Sequence, residues 1–249
     1  MQQKPKIAFF DFAGCEGCQL QVLDLEDEIP ELIKLVEIVN FREASSERHD
    51  DDEIAFVEGS ITTNHDIERV KGIRERAKIL VAFGACACTG GINAIKNTMP
   101  LEEVRRYVYG EKWKCFDTIP TKPVSAVVAV DYELPGCPPN KREFLELVKC
   151  LLMGKPFRLP NYPVCVECKL KENLCVFEKG MVCLGPITRA GCEAACPSRG
   201  NYCMGCRGLV DNPNVDSHRE VLEKYGLTVE QILREFRLFG SNLEVLKDA

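Results

Sequence analysis

Short apolar runs alternate with amphipathic stretches along the first part of this chain. Residues 6–12 place Ile7, Ala8, Phe9 and Phe10 together, as a strand buried on both faces does, and residues 36–41, 54–57, 79–83 and 124–130 are further brief β-branched or aromatic runs. Between them, residues 19–28, rich in Leu, Gln and Glu, predict a helix. Residues 65–76 place Ile67, Val70 and Ile73 on one helical face, and residues 101–109 and 141–152 continue the helical pattern. Short apolar strands alternating with helices imply a mostly parallel sheet covered on both faces.

The order of these elements predicts an α/β class with a flavodoxin-like, doubly wound sheet. Neither G-x-G-x-x-G nor G-x-x-x-x-G-K-[ST] occurs, so nothing marks that sheet as a nucleotide cradle. The pattern then breaks. Pro156, Pro160 and Pro163 mark a linker, and the segment 165–206 shows little apolar periodicity while Gly and Pro recur. Such a segment has too little core to fold by burial alone and needs metal crosslinks. Beyond Asp216 the pattern predicts two short helices, with Thr228 and Gln231 as a capping box and Gly240 closing the second. The expected organisation is a sheet domain over 1–158, a small cysteine-rich domain over 159–210 and a helical tail over 211–249.

Length and charge narrow the partners. A chain of 249 residues, 45% hydrophobic, can bury one sizeable core plus an appendage, and a net charge of −6 without a basic cluster argues against nucleic acid or an anionic membrane. No apolar run approaches a membrane span. Phe12-Ala13-Gly14-Cys15 resembles a lipoprotein signal, but Asp11 interrupts the short apolar stretch before it, so a strand with no export signal is the expected reading. That places the protein in the cytoplasm, where thiols stay reduced, and its 15 cysteines are then expected to be metal ligands or reactive groups, not disulfides.

Cys15 and Cys18 follow the first strand, Cys86 follows the strand ending at Phe83, and Cys137 lies past the strand expected to end near Val130. In a parallel sheet all these positions fall at the carboxyl edge, where open α/β sheets place their ligands. Four thiolates there suit a [4Fe–4S] cluster or a zinc ion; the plainer alternative is a redox-active or buried Cys-x-x-Cys with Cys86 and Cys137 as core thiols. Flanking glycines favour the cluster, whose sulfides accept hydrogen bonds from close backbone N–H groups. Glu58 is expected at the same edge, to orient a cluster loop or pass protons, with an exposed loop acid as the plainer expectation. Glu16 is a further candidate for either role. The acidic run 50–53 reads as a solvated loop, and His65 as a surface residue at a helix start.

Eight more cysteines fall into two groups, Cys165, Cys168, Cys175 and Cys183, then Cys192, Cys196, Cys203 and Cys206. Two four-thiolate sites follow, iron–sulfur or zinc ribbon, and Cys196-Pro197 has the Cys-Pro ending of ferredoxin motifs. Cys88, two residues from Cys86, is the one competing ligand, whereas Cys115 and Cys150 read as small hydrophobes.

The ordered motifs CEGC, VEGS, GACACTGG and PGCPP, then CLGPITRAGC and CMGC, resemble the small subunit of nickel–iron hydrogenases, over about residues 6 to 208. The likeness is to the soluble kind found in sulfhydrogenases, coenzyme-F420-type and viologen-reducing enzymes and bifurcating complexes. It implies a proximal cluster on Cys15, Cys18, Cys86 and Cys137, facing a nickel–iron centre on a separate large subunit. It further implies a distal cluster on Cys165, Cys168, Cys175 and Cys183 and a medial one on Cys192, Cys196, Cys203 and Cys206. The periplasmic branch has His where Cys165 stands and lacks the equivalent of Cys196, so three [4Fe–4S] cubanes are implied here. The implied role is electron relay between the hydrogen-splitting subunit and a flavin or iron–sulfur acceptor subunit. The sheet domain also resembles a quinone-reducing subunit of respiratory complex I, which leaves a non-hydrogenase oxidoreductase as the alternative. A zinc-stapled interaction module is a third reading.

Overall fold

The computed structural model describes residues 4–243. Five strands, β1 (Lys6–Asp11), β2 (Glu37–Asn40), β3 (Ile54–Glu58), β4 (Ile79–Phe83) and β5 (Tyr132–Leu134), form one sheet in the order β2-β1-β3-β4-β5, every pair parallel. The chain runs outward from β1 to β2, then returns past β1 to build β3, β4 and β5. That reversal makes the gap between β1 and β3 the switch point, the place where loops diverge and leave a crevice.

Side chains along β1 alternate between two cores, as the period of a strand requires. Ile7 and Phe9 join Phe56, Val81 and Phe83 beneath α1 (Gly17–Leu23), α2 (Ile29–Leu35) and, further along the chain, a helix over Lys141–Leu152. Ala8 and Phe10 join Ala55, Val57, Leu80 and Ala82 beneath α3 (Asn64–Arg76). Phe9, Phe56, Phe83 and Phe144 pack ring to ring, with Phe9 and Phe56 centroids 5.1 Å apart and Phe56 and Phe144 5.2 Å apart. The remaining helices are α4 (Ala85–Thr89), α5 (Leu101–Tyr109), α6 (Lys141–Leu152), α7 (Val164–Leu170), α8 (Ala195–Ser198), α9 (Val215–Lys224) and α10 (Val229–Gly240).

Several expectations change. The helix expected over 19–28 ends at Leu23, and Pro30 sits at the start of α2, where its missing N–H costs nothing. The valine run 124–130 is not a strand. It makes one 3-10 turn over Val124–Ala126, and Val127, Val128 and Val130 pack against the α3-side core from a loop. The last strand lies further on, where Tyr132, Glu133 and Leu134 pair with Val81, Ala82 and Phe83. Within the acidic run, Asp52 is buried beside Arg76 at 3.5 Å, so that run is partly an anchor.

The tail packs on its own chain. Leu222, Ile232 and Phe236 are buried in one cluster with Val164, Val176, Leu184 and Ile187 of the cysteine-rich segment. The capping box of α10 forms, Thr228 Oγ1 accepting from Gln231 N and Gln231 Oε1 from Thr228 N. Gly240 is the last residue of α10 instead of a left-handed cap; Gly226, at φ 87°, closes α9 in that way. Asn242 ties the tail to the sheet by donating to the carbonyls of Thr89 and Thr121.

Candidate functional site

The loops after β1, β4 and β5 meet at the carboxyl edge of the sheet. The Cys86 loop is stitched to the Cys137 loop by Gly84 N donating to Leu134 O (2.9 Å) and Ala85 N to Gly136 O (2.8 Å). Cys18 is buried, Cys86 half-buried, and Cys15 and Cys137 are exposed. Burial, then the Glu58 carboxylate, then Cys86 and Cys137 hold the Cys18 thiol well above the usual range. Cys86 is pushed up to about 11 by burial and by the charges of Cys137 and Cys15. The four thiols therefore sense one another across a small space. Cys18, Cys86 and Cys137 are all raised by burial and by neighbouring thiols, an effect that the positive charge of a metal centre would offset.

Glu58 is the group that the sequence placed least well. It is buried, at the end of β3, and its two oxygens accept from Cys18 N (3.0 Å) and Gln19 N (3.1 Å). A carboxylate on the N-terminal amides of α1 both completes their hydrogen bonding and meets the positive end of the helix. Both bonds tie Glu58 to the backbone of the Cys18 turn, and the expected exposed loop acid is corrected. Glu16 has a left-handed backbone at φ 61° and accepts from Gln19 Nε2 at 2.9 Å. Burial, reinforced by Glu58, pushes its carboxyl up to about 7.

Glycine makes room for sulfur at the sheet edge and at the group of Cys165, Cys168, Cys175 and Cys183. Gly84 holds φ at +93°, and a Cβ there would collide with Cys18 Sγ. A Cβ on Gly185 would lie 3.3 Å from Cys183 Sγ and 3.4 Å from Cys165 Sγ.

Cys165, Cys168, Cys175 and Cys183 line one pocket with Val164, Val176, Phe177, Pro186 and Pro197. It encloses about 40 Å³, where a single water needs roughly 10–15 Å³. Cys192, Cys196, Cys203 and Cys206 line a second cleft, which Cys137 of the sheet edge shares. The sites adjoin: Cys203 N, beside one group, donates to Cys183 Sγ of the other at 3.4 Å, and Gly185 N does the same. Burial pushes Cys165 and Cys206 each up to about 12. Among the described residues no three His, Cys, Asp or Glu side chains close tightly enough to hold a single ion. The donor chemistry, four sulfurs in each group, with an apolar lining at the pocket of Cys165, Cys168, Cys175 and Cys183 and glycine against sulfur there and at the sheet edge, fits iron–sulfur clusters.

Four groups around these sites have no ligand spacing to mark them. Glu167, inside Cys165-x-x-Cys168, accepts from Gly191 N (2.8 Å) and Ala194 N (3.1 Å), which flank Cys192, and so ties the two cysteine groups together. Glu167→Ala leaves those amides without their acceptor, at about 1–3 kcal/mol each. The expected result is a lower melting temperature and faster iron loss to a chelator. His218, from the tail, is buried with its ring stacked on Phe236, and burial holds it down at about 4. Arg207 and Glu143 form a buried pair at 2.9 Å. A charge inside or just after a Cys-x-x-Cys was the available signal for Glu167 and Arg207; His218 carried none. Cys88 is buried and donates to Ala82 O, Cys150 is buried near Glu146, and Cys115, expected to be at least half-buried, is exposed.

A doubly wound sheet with four cysteines at its carboxyl edge, joined to a module with two more four-cysteine pockets, defines the class as a cysteine-rich α/β protein with its sulfur donors in three groups. Residues 15–151 match the family described as NADH ubiquinone oxidoreductase, 20 Kd subunit. The chain is 37% identical to sulfhydrogenase 2 subunit delta of Pyrococcus furiosus, over 94% of this chain and 99% of the relative. It is 35% identical to a subunit of the F420-non-reducing hydrogenase vhu of Methanocaldococcus jannaschii, over 83% of this chain and 82% of the relative. A crystal structure of NAD+-reducing [NiFe]-hydrogenase in the H2-reduced state contains a similar chain, with a TM-score of 0.57 and 28% identity over 64% of this chain and 96% of that one. The chain belongs to the family of nickel–iron hydrogenase small subunits, and it is a subunit of an oxidoreductase. Among the described residues no helix is long and apolar enough to cross a membrane.

Proposed function

We propose that this chain is the electron-relay subunit of a cytoplasmic nickel–iron hydrogenase, carrying three [4Fe–4S] clusters in a row. The proximal set is Cys15, Cys18, Cys86 and Cys137, the medial set Cys192, Cys196, Cys203 and Cys206, and the distal set Cys165, Cys168, Cys175 and Cys183. The single observation that carries this reading is that the three sulfur sites share walls. Cys137 of the sheet edge borders the cleft of Cys192, Cys196, Cys203 and Cys206, and Cys203 N donates to Cys183 Sγ at 3.4 Å.

Bound clusters supply one-electron carriers of low potential. The protein positions them. Glu58 holds the Cys15–Cys18 loop, Glu167 locks the distal helix to the medial loop, and Val164, Val176 and Phe177 give the distal pocket an apolar wall. The exposed thiols Cys15 and Cys137 lie where a partner large subunit, holding the hydrogen-splitting nickel–iron centre, closes over the edge. A flavin or iron–sulfur subunit at the distal end completes the circuit. The organisation 1–158, 159–210 and 211–249 follows the same division of labour, with the tail completing the core of the cysteine-rich part.

The alternative, a relay subunit of a non-hydrogenase complex, rests on the 20 Kd family match, which stops at residue 151. The sulfhydrogenase relative instead spans 94% of the chain. The test is to purify the complex anaerobically from its native source and supply hydrogen. Hydrogen should bleach the visible iron–sulfur absorption of this subunit and reduce a viologen dye. A complex with no nickel-bearing partner, and clusters that hydrogen leaves oxidised, would overturn the assignment.

A further inference from the structure

Arg207 follows the last cysteine of the medial set, and it is 2% exposed. Its guanidinium donates in three directions: Nε to Ala190 O at 2.8 Å, Nη1 to Pro135 O at 2.7 Å, and Nη2 to Glu143 Oε1 at 2.9 Å. Pro135 lies two residues before Cys137, and Ala190 two residues before Cys192. One rigid fork therefore grips the loop that carries a proximal ligand and the loop that carries a medial ligand, while its own backbone follows Cys206. Glu143, on α6, fixes the fork to the sheet domain.

The surrounding chain is shaped around this pair. Gly191 holds φ at +114°, and a Cβ there would collide with both Glu143 Oε1 and Arg207 Nη2. The Cys192 loop can thus close over the ion pair only as glycine. No other buried side chain among the described residues bonds both loops.

We infer that Arg207 is the positioning residue of the proximal–medial junction: it fixes the spacing of the two sites, and its charge stabilises the reduced form of the medial centre. This rests on the three-cluster reading. The planar fork sets geometry, because three donors at fixed angles leave neither loop free to drift. The cation acts on potential, because reduction adds negative charge in a poorly screened interior, and a nearby positive charge favours that state. Glu143 opposes it, so the two members of the pair pull the medial potential in opposite directions.

The opposition supplies the test. Complexes carrying Arg207→Gln, Arg207→Lys and Glu143→Gln are titrated potentiometrically and followed by electron paramagnetic resonance. The titration is run well on the alkaline side of neutrality, because burial pushes Glu143 up to about 7, and Arg207→Gln is compared in the Glu143→Gln background, since losing Arg207 removes what holds that carboxyl down. Arg207→Gln should move the medial midpoint to more negative potential and Glu143→Gln to less negative potential. Arg207→Lys keeps the charge but loses the fork, so its midpoint should stay near the parent's while the proximal–medial spin interaction changes. A purely structural role moves the two Gln variants in the same direction or not at all, and either result would overturn the inference. Where Arg207→Gln fails to load iron, the upward shift in Glu143→Gln and the altered coupling in Arg207→Lys decide it alone. A parent complex short of three clusters sinks the cluster reading; a fully loaded parent with unmoved midpoints sinks only the role of Arg207.

Discussion

Serine in place of Cys18 is expected to strip the proximal cluster from the assembled hydrogenase and stop hydrogen-dependent dye reduction. Cys18 is the buried member of the edge set, packed so closely against Gly84 that a Cβ there would meet its sulfur. An alcohol is a shorter, harder and far less acidic donor than a thiol. Losing a partner outside the ligand sphere already costs about 10–100-fold, so losing the ligand itself should cost on the order of 100-fold or more. Iron in the subunit should fall by about four atoms, and the resonance of one cluster should vanish while the other two persist. Activity near that of the parent would count against Cys18 as a ligand.

Glu58→Ala should come close to that effect without touching a sulfur atom. Removing the carboxylate leaves Cys18 N and Gln19 N buried without acceptors at the positive end of α1. Two such losses amount to about 2–6 kcal/mol, a large part of the margin that holds any domain folded. The loop should loosen, with partial proximal occupancy and a lower melting temperature. Glu58→Gln keeps one oxygen acceptor and should recover part of the iron. Full occupancy in Glu58→Ala, measured as iron per subunit, would show that the loop is held by something else.

The strands of the sheet centre were legible because residues buried on both faces leave unbroken apolar runs, as at 54–58 and 79–83. The two cysteine groups of the second module could be proposed because their members lie close in sequence, and each group lines its own pocket. The last strand was not. A valine run covering a helix from a loop looks the same as a strand until its hydrogen bonds are known, and Tyr132-Glu133-Leu134 alone is too short to stand out. Glu58 was misjudged for a related reason. A carboxylate at a strand end reads as solvated unless the donors that satisfy it are visible, and these come from a helix start 40 residues earlier.

The tail was half legible. Its capping box could be read from Thr228 and Gln231, but whether Leu222 and Phe236 faced this chain or another depended on the pocket they complete. Arg207 and Glu167 show where spacing runs out. Ligands are marked by residue type, whereas the charges that hold their loops in place are defined only by what lies across the fold.

All of this depends on three sulfur pockets that hold iron cubanes. Anaerobic determination of iron, acid-labile sulfide and zinc in this subunit addresses that dependence most directly. The account predicts about twelve irons with matching sulfide and no stoichiometric zinc. Zinc at two or three atoms, or iron sufficient for a single cluster, would contradict it.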